Sequence, residues 1–309
     1  MNILISGASG LIGSALVPHL QKKGHHVLNL TRNKNRQDDI VWNPARGILN
    51  LPSSTKIDAV IHLAGENIAD GRWNKQKKER IRSSRIVGTT LISKTIAALD
   101  DKPKVMLSAS GIGYYGSRGD QVLTEADPPG NGFLVDVSRD WEAATSTAEE
   151  AGIRVVHLRI APVLSTKGGT LKRLLPPFRL GFGASLGSGR QYMSWILIDD
   201  IVNVMWFLVK QDALAGPVNV CSPNPITNRE FSKTLAEVLK RPAVFRIPSP
   251  VLKILFGELS GELLSSTRAV PVRLLNAGFE FNYPRLDVGL RHLLSKQSTD
   301  NKQASRSIL

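Results

Sequence analysis

Asn2-Ile3-Leu4-Ile5-Ser6-Gly7-Ala8-Ser9-Gly10-Leu11-Ile12-Gly13-Ser14 decides how the whole chain is read. The uncharged run Asn2 to Ser6 predicts a strand, and Ser14 to Lys23 predicts a helix stopped by Gly24. Between them, Gly7, Gly10 and Gly13 form a G-x-x-G-x-x-G run. Glycines there allow a tight turn, let backbone N–H groups approach a pyrophosphate, and leave the positive end of the next helix facing it. The other reading of such a run is an ordinary turn built from small packing residues.

Working outward, β-rich runs alternate with amphipathic ones. His26 to Thr31 resumes as a strand, and Asp58 to Leu63 follows, with Ala59-Val60-Ile61 apolar enough to be buried on both faces. Within Lys75 to Leu99, Ile81, Arg85, Gly88, Leu91, Ile92 and Ile96 share one helical face, while Lys75, Lys77, Lys78, Arg80 and Arg82 crowd the start. Lys104 to Ser108 is the next strand. Leu134, Val137, Ser138, Trp141, Thr145 and Ala148 form a helical stripe ending before Gly152, and Ile153 to Ile160 is another strand. The order predicts an α/β fold with a parallel sheet. After Ile160 the alternation loosens into Gly- and Pro-containing segments; Trp195 to Ile198 and Pro217 to Cys221 are candidate returns to the sheet, and Thr227 to Lys240 and Val251 to Ser266 read as helices.

The 309 residues, 42% hydrophobic and 21% charged, exclude a small stapled scaffold and a disordered chain. One cysteine, Cys221, closes no intrachain disulfide and leaves no thiolate metal cluster; a cytoplasmic, reducing setting is expected. The 40 basic against 26 acidic residues give +14, which favours anionic partners. No interleaved aromatic and basic platform for nucleic acid is present, and charge interrupts each apolar stretch before it spans a membrane.

At the end of the second strand, where an NAD site places a carboxylate on the ribose diol, the chain has Thr31-Arg32, with Lys34 beyond. A guanidinium pairs with a 2′-phosphate, so this sign reversal favours NADP; a solvated basic loop is the alternative. Leu63-Ala64-Gly65 ends the third strand with residues small enough for adenosine to lie against backbone. Arg85, on the inward face of its helix, calls for an anionic or carbonyl partner.

Together with these, Leu63-Ala64-Gly65-Glu66-Asn67-Ile68, Arg72-Trp73-Asn74, Ser108-Ala109-Ser110, Tyr114-Tyr115-Gly116, Leu175 to Gly181, Gly187-Ser188-Gly189-Arg190-Gln191, Met193 to Ile196 and Leu275 to Phe279 resemble the extended short-chain dehydrogenase/reductase superfamily. The likeness is nearest to its epimerase family branch, NAD-dependent epimerase/dehydratase-like, and spans nearly the whole chain. It implies a Rossmann-type doubly wound parallel sheet over residues 1–165, with return segments about 195–222. A smaller C-terminal α/β substrate lobe would comprise 166–194 and 223–295, with 296–309 as a mobile tail. By the same resemblance, Gly7, Gly10, Leu11, Ile12 and Gly13 would cradle the pyrophosphate, and Thr31 and Arg32 would meet the 2′-phosphate. Leu63, Ala64, Gly65 and Arg85 would line the adenosine side, and the Val163 backbone would approach the nicotinamide.

The superfamily's Tyr-x-x-x-Lys pair is absent: Leu134 and Ser138 stand where it is sought. Ser108 and Ser110, as partners of a substrate carbonyl, and Tyr114 or Tyr115, as proton donors, are the candidate substitutes. Packing and backbone satisfaction are the alternative roles for all four. Arg179, Arg190 and Gln191 are candidates to grip an anionic substrate and Trp195 to wall its pocket, with a solvated arginine and a core tryptophan as the alternatives. Asp199-Asp200 reads as the cap of the following helix. The chain is expected to exchange hydride with a carbonyl or hydroxyl of a small anionic or nucleotide-linked molecule, as an oxidoreductase or an isomerase. The alternative is an NADP(H)-binding sensor or assembly factor without catalysis. No metal is called for, and a homodimer is possible.

Overall fold

A computed structural model describes residues 1–33, 39–52 and 54–306, with side chains described to 297. Lys34 lies outside the described residues. The amino-terminal half contains β1 (Asn2–Ser6), α1 (Gly13–Lys22), β2 (His26–Thr31), β3 (Asp39–Asn43), β4 (Ile48–Leu49), β5 (Ala59–His62), α2 (Lys75–Ala97), β6 (Val105–Gly111), β7 (Val122–Leu123), α3 (Phe133–Ala143), α4 (Ser146–Glu150) and β8 (Arg154–Ile160). Eight strands form the main sheet in the order β13-β8-β6-β5-β1-β2-β3-β4, where β13 is Gly216–Val220. Every pairing is parallel except β3 with β4. The chain leaves β1 for β2 on one side and returns to β5 on the other, which makes a switch point beside β1 where ligands of such sheets bind.

Alternation along the strands divides the core. Ile3, Ile5, Ile61, Leu107, Val156 and Leu158 face α1 and the helix α6 (Ile198–Lys210) described below. Leu4, Val60, Met106 and Val155 face the opposite way, with Ile92 and Ile96 of α2. The sheet is therefore buried on both faces, and its strands read as apolar runs.

Beyond β8 come β9 (Val163–Leu164), α5 (Gly169–Arg179), β10 (Ala184–Leu186), β11 (Tyr192–Met193), β12 (Ile196–Leu197), α6, β13, β14 (Ile226–Thr227), α7 (Asn228–Leu239), β15 (Phe245–Ile247), α8 (Ser249–Phe256), α9 (Leu259–Leu264), β16 (Arg268–Ala269), α10 (Val272–Asn276) and α11 (Leu286–Arg306). Leu171, Leu175, Phe178, Phe231, Leu235, Leu290 and Leu293 make a separate core for α5, α7 and α11.

The structure differs from several expectations. Along the chain two further strands, β3 and β4, come between β2 and β5, and they extend the sheet's edge beyond β2. Gly216–Val220 joins the main sheet, but Ile196–Leu197 pairs with β9 outside it. The helix expected over Val251 to Ser266 is broken at Gly257, which takes φ +59°, into α8 and α9. The segment expected as a tail continues α11 as helix to Arg306. Asp200 is no cap: within the first turn of α6 its carboxylate accepts from the backbone N–H groups of Asn282 (3.0 Å) and Tyr283 (3.1 Å), tying the chain before α11 to that helix.

Candidate functional site

The glycine run turns the chain at the carboxyl end of β1. Gly7 has φ +75°, and a Cβ there would lie 2.8 Å from the Leu63 carbonyl carbon and 2.9 Å from the Ala64 nitrogen. At Gly13 a Cβ would lie 2.2 Å from the Gly7 oxygen, and at Gly10 one would lie 3.2 Å from that same atom. These positions thus hold the β1–α1 turn tightly against itself and against the end of β5, and any side chain at Gly7 or Gly13 would collide with that backbone. No side chain caps the first turn of α1, whose preceding residue is Ile12. Of its first N–H groups, that of Ser14 donates to the Gly10 carbonyl (2.9 Å) and that of Ala15 to the Ile12 carbonyl (3.1 Å), so backbone closes this turn and no carboxylate or hydroxyl does.

Ser6 is the hinge of this corner. Its Oγ accepts from the backbone N–H of Leu63 (3.2 Å) and Ala64 (3.3 Å) and meets His62 Nδ1 at 2.5 Å. His62 Nε2 in turn meets Thr89 Oγ1 of α2 at 2.9 Å, and the Trp141 indole N–H also donates to Thr89. A buried polar row, Ser6–His62–Thr89–Trp141, therefore fixes the ends of β1 and β5 to α2 and α3. Burial lowers the His62 pKa to about 4.

Gly65 faces the Arg85 guanidinium, 3.4 Å from where a Cβ would sit. Arg85 donates to the carbonyls of Glu66 (3.1 Å) and Ile81 (3.0 Å) and stacks on Trp141. Of the two partners the sequence allowed, carbonyls are the ones found. Burial lowers its pKa to about 10 against the opposing charge of Glu66. The loop after β5 is tied outward as well: Arg173 of α5 bonds Asp70 at 2.7 Å, and Arg72 donates to carbonyls of Ile254 and Leu255 in α8.

Leu11 packs on the turn before α5, where a Cβ on Gly168 would meet its Cδ1 at 3.0 Å; the Val163 carbonyl lies beside Gly169. Gly7, Gly13, Leu63, Ala64, Gly65, Arg85, Leu11 and Val163 are thus joined through a chain of contacts around one corner. Arg32 is exposed at the end of β2, next to Thr31, whose hydroxyl donates to the Asn33 carbonyl.

The four candidates for proton transfer are placed differently. Ser108 and Ser110 are buried on the α2/α3 side of the sheet. Among the described residues, Ser108 Oγ has no hydrogen-bond partner. Ser110 donates to Glu142 of α3 at 2.8 Å. Glu142 receives Arg159 of β8 through Nε and Nη2, and Arg159 Nη1 donates to the Tyr115 hydroxyl, which donates to Asn219 Oδ1 of β13 at 2.7 Å. Tyr115 is fully buried. Burial pushes its phenol up to about 12, the Arg159 charge pulling the other way. The Tyr115 hydroxyl is thus already engaged by Asn219 and Arg159 in this buried network. Tyr114 is half-buried, with the Arg159 guanidinium 3.4 Å from its ring centre. Leu134 packs on Gly113, just past β6, and Ser138 is buried, so no phenol and ammonium pair stands there.

The substrate candidates do not form a gripping cluster. Arg179 lies on the exposed side of α5 and bonds Gln297 of α11, and Arg190 is exposed on the turn before β11. Gln191 is buried, donating its amide to the Leu186 carbonyl. Trp195 is a core side chain, 1% exposed, whose indole N–H donates to the Asn224 carbonyl.

Residues 3–221 match the NAD dependent epimerase/dehydratase family, and residues 247–293 match a domain of unknown function, DUF1731. The chain belongs to the NAD dependent epimerase/dehydratase family. Epimerase family protein Mb2239 of Mycobacterium bovis is 41% identical over 296 residues, covering 95% of this chain and 98% of that protein. Epimerase family protein YfhF of Bacillus subtilis is 33% identical over 305 residues, covering 97% and 100%. Among solved structures, human epimerase family protein SDR39U1 (isoform2) with NADPH superposes with a TM-score of 0.88 at 31% identity, over 95% of this chain and 99% of that one. Among the described residues no helix is long and apolar enough to cross a membrane, and no group of three His, Cys, Asp or Glu side chains could hold a metal ion.

Proposed function

We propose that this epimerase-family chain binds NADP(H) in the corner between β1, β5 and α1 and exchanges hydride with a carbonyl or hydroxyl of a small anionic or nucleotide-linked molecule. The observation that carries the reading is the turn itself: with no Cβ at Gly7 or Gly13 the backbone folds tightly onto itself and onto the end of β5, which sets the start of α1, without a side-chain cap, at the carboxyl edge of the sheet. The NADPH in the human SDR39U1 structure supports the same reading. When bound, the cofactor supplies hydride to, or accepts it from, a substrate carbon.

The chain's residues would do the rest. Gly7, Gly10 and Gly13 admit the diphosphate, Leu11 and Ile12 border it, and Arg32 with Thr31 meets the 2′-phosphate. Leu63, Ala64 and Gly65 form the adenosine wall. Arg85 braces that wall through the Glu66 carbonyl rather than reaching outward. A second reading, an NADP(H)-binding sensor without catalysis, is favoured by Leu134 and Ser138 where the superfamily carries its tyrosine and lysine.

Titration of the purified protein with NADPH and NADH tests the cofactor assignment. NADPH is expected to bind more tightly, with Arg32→Ala narrowing the gap by about 10-fold, as loss of one charge-assisted pair implies. Equal affinities in the unaltered protein would refute the role of Arg32. Turnover of NADPH across a carbonyl panel separates the two readings: oxidation with a reduced product supports catalysis, and none at all favours the sensor.

A further inference from the structure

Four large apolar side chains stand side by side on the second lobe, each more than half exposed: Leu180 (72%) and Phe182 (64%) in the turn after α5, Val244 (79%) just before β15 and Phe245 (51%) within it. β10 and β15 pair with Ala184 opposite Phe245, the Phe182 and Phe245 rings lie 6.3 Å apart, and Gly181 faces Pro242. The packing beneath them is closed. A Cβ on Gly183 would lie 2.8 Å from the Phe178 ring and 3.0 Å from Ala243, so the four side chains have no room to turn inward. Exposed apolar residues scattered singly are ordinary, but a contiguous group marks a contact surface.

We propose that this knob docks on an anionic lipid surface, with Leu180, Phe182, Val244 and Phe245 entering the headgroup layer and the cations around them facing the lipid charge. Charge selects that occupant. Residues 151–198 and 238–257, which supply both apolar tips, contain no Asp or Glu, while Arg179, Lys240, Arg241 and Arg246 adjoin the apolar residues in sequence. All four cations are exposed. Arg179 bonds the neutral Gln297 amide and Arg246 donates to the Gly187 carbonyl, so neither meets an anion there. The acidic residues that flank the second stretch already have cations, Glu237 lying 3.8 Å from Lys233 and Glu258 pairing with Lys78. A two-fold contact between two copies of this face would set the four cations against their own counterparts, which costs energy. Apolar tips ringed by Lys and Arg instead suit a bilayer surface, where burial of apolar area and attraction to anionic lipid add. The four side chains project rather than line a groove, so they offer no walls to a bound peptide helix. Such a surface contact needs no membrane-spanning helix, and none of these residues belongs to the nucleotide corner.

The test sediments the full chain with vesicles of phosphatidylcholine mixed with phosphatidylserine, and with vesicles of phosphatidylcholine alone. Binding to the mixed vesicles is expected to be at least about tenfold tighter than to the neutral ones and to weaken as salt is raised. Lys240→Gln/Arg241→Gln is expected to weaken it about 30-fold, the effect of two cations near a charged surface. Phe182→Ser/Phe245→Ser is expected to weaken it at least about tenfold, through loss of two inserted rings. Because all four substituted side chains are exposed, the thermal midpoints of both variants are expected to match that of the unaltered chain. No binding to the mixed vesicles, equal binding to the neutral ones, or full binding by either variant would overturn the proposal. So would self-association of the unaltered chain in sedimentation velocity that Phe182→Ser/Phe245→Ser abolishes, because the face would then belong to a second copy.

Discussion

Arg159 on β8 holds Glu142 on α3 through two parallel hydrogen bonds, Nε to Oε1 at 2.9 Å and Nη2 to Oε2 at 3.0 Å, with both side chains nearly out of solvent. Burial alone would lower the Arg159 pKa, but its hydrogen bonds and attraction to Glu142 outweigh that cost and raise it. A buried charge left alone is expensive, so breaking the pair from one side should cost about 3 kcal/mol. Glu142→Leu is expected to lower the unfolding free energy by that order, and the double variant Glu142→Leu/Arg159→Met by distinctly less. Urea denaturation of the single and double variants measures both. Equal losses would mean that packing, rather than the stranded guanidinium, sets the cost.

Tyr115 extends the same network to β13. Replacing it with Phe removes the acceptor for Arg159 Nη1 and the donor for Asn219 Oδ1 while keeping the ring under Tyr114. Unsatisfied buried groups cost about 1–3 kcal/mol, so Tyr115→Phe should be destabilised by that amount with unchanged NADPH affinity. Thermal denaturation beside a nucleotide titration decides it. A variant of full stability would show that the hydroxyl does no structural work there.

The neutral His62 makes folding sensitive to acid. Its pKa falls from the ordinary 6.5 to about 4, so between these values the unfolded chain takes up a proton that the folded chain refuses. The contribution is complete above pH 6.5 and is lost as pH falls towards 4, by about 3 kcal/mol at the limit. His62→Gln lacks this titration. Unfolding free energies at pH 7 and pH 4.5 should therefore differ by about 2 kcal/mol less in His62→Gln than in the unaltered chain. Equal pH losses in the two proteins would rule out His62 as the source.

How far the site can be read from sequence follows from how local its parts are. The glycine turn and its flanking strand and helix are built from near neighbours, and their spacing carries them. The Glu142–Arg159–Tyr115–Asn219 network joins residues 17, 44 and 104 positions apart, and no local period marks such partners. Tyr115 sits in one of the stretches that carry the resemblance, Tyr114-Tyr115-Gly116, but its hydroxyl's partner Asn219 is on β13, far along the chain. The same holds for Trp195, whose surroundings are α5, α7 and α11. Gly257 was visible as a glycine, yet the apolar run on its amino-terminal side favoured one helix, and only its φ of +59° shows the break. The strands β3 and β4 have apolar runs, Ile40-Val41-Trp42 and Ile48-Leu49, that are too short to show a strand period.

The glycine cradle makes a graded prediction. A methyl group at position 13 would lie 2.2 Å from the Gly7 oxygen and within 2.8 Å of two Ala8 backbone atoms, so backbone must move. At position 10 the nearest atom is the same oxygen at 3.2 Å, which a small adjustment relieves. At position 24, after α1, φ is +79° but nothing lies within 4 Å, so Ala there meets only the conformational cost, about 1 kcal/mol. NADPH affinity is therefore expected to fall on the order of 100-fold in Gly13→Ala, by less in Gly10→Ala, and not at all in Gly24→Ala, although the last is also destabilised. Fluorescence titration of each variant, with its thermal midpoint, separates distortion of the cradle from loss of fold. If Gly24→Ala weakened NADPH as much as Gly13→Ala, binding would be following global stability, and the turn between β1 and α1 would lose its claim to be the place where the dinucleotide sits.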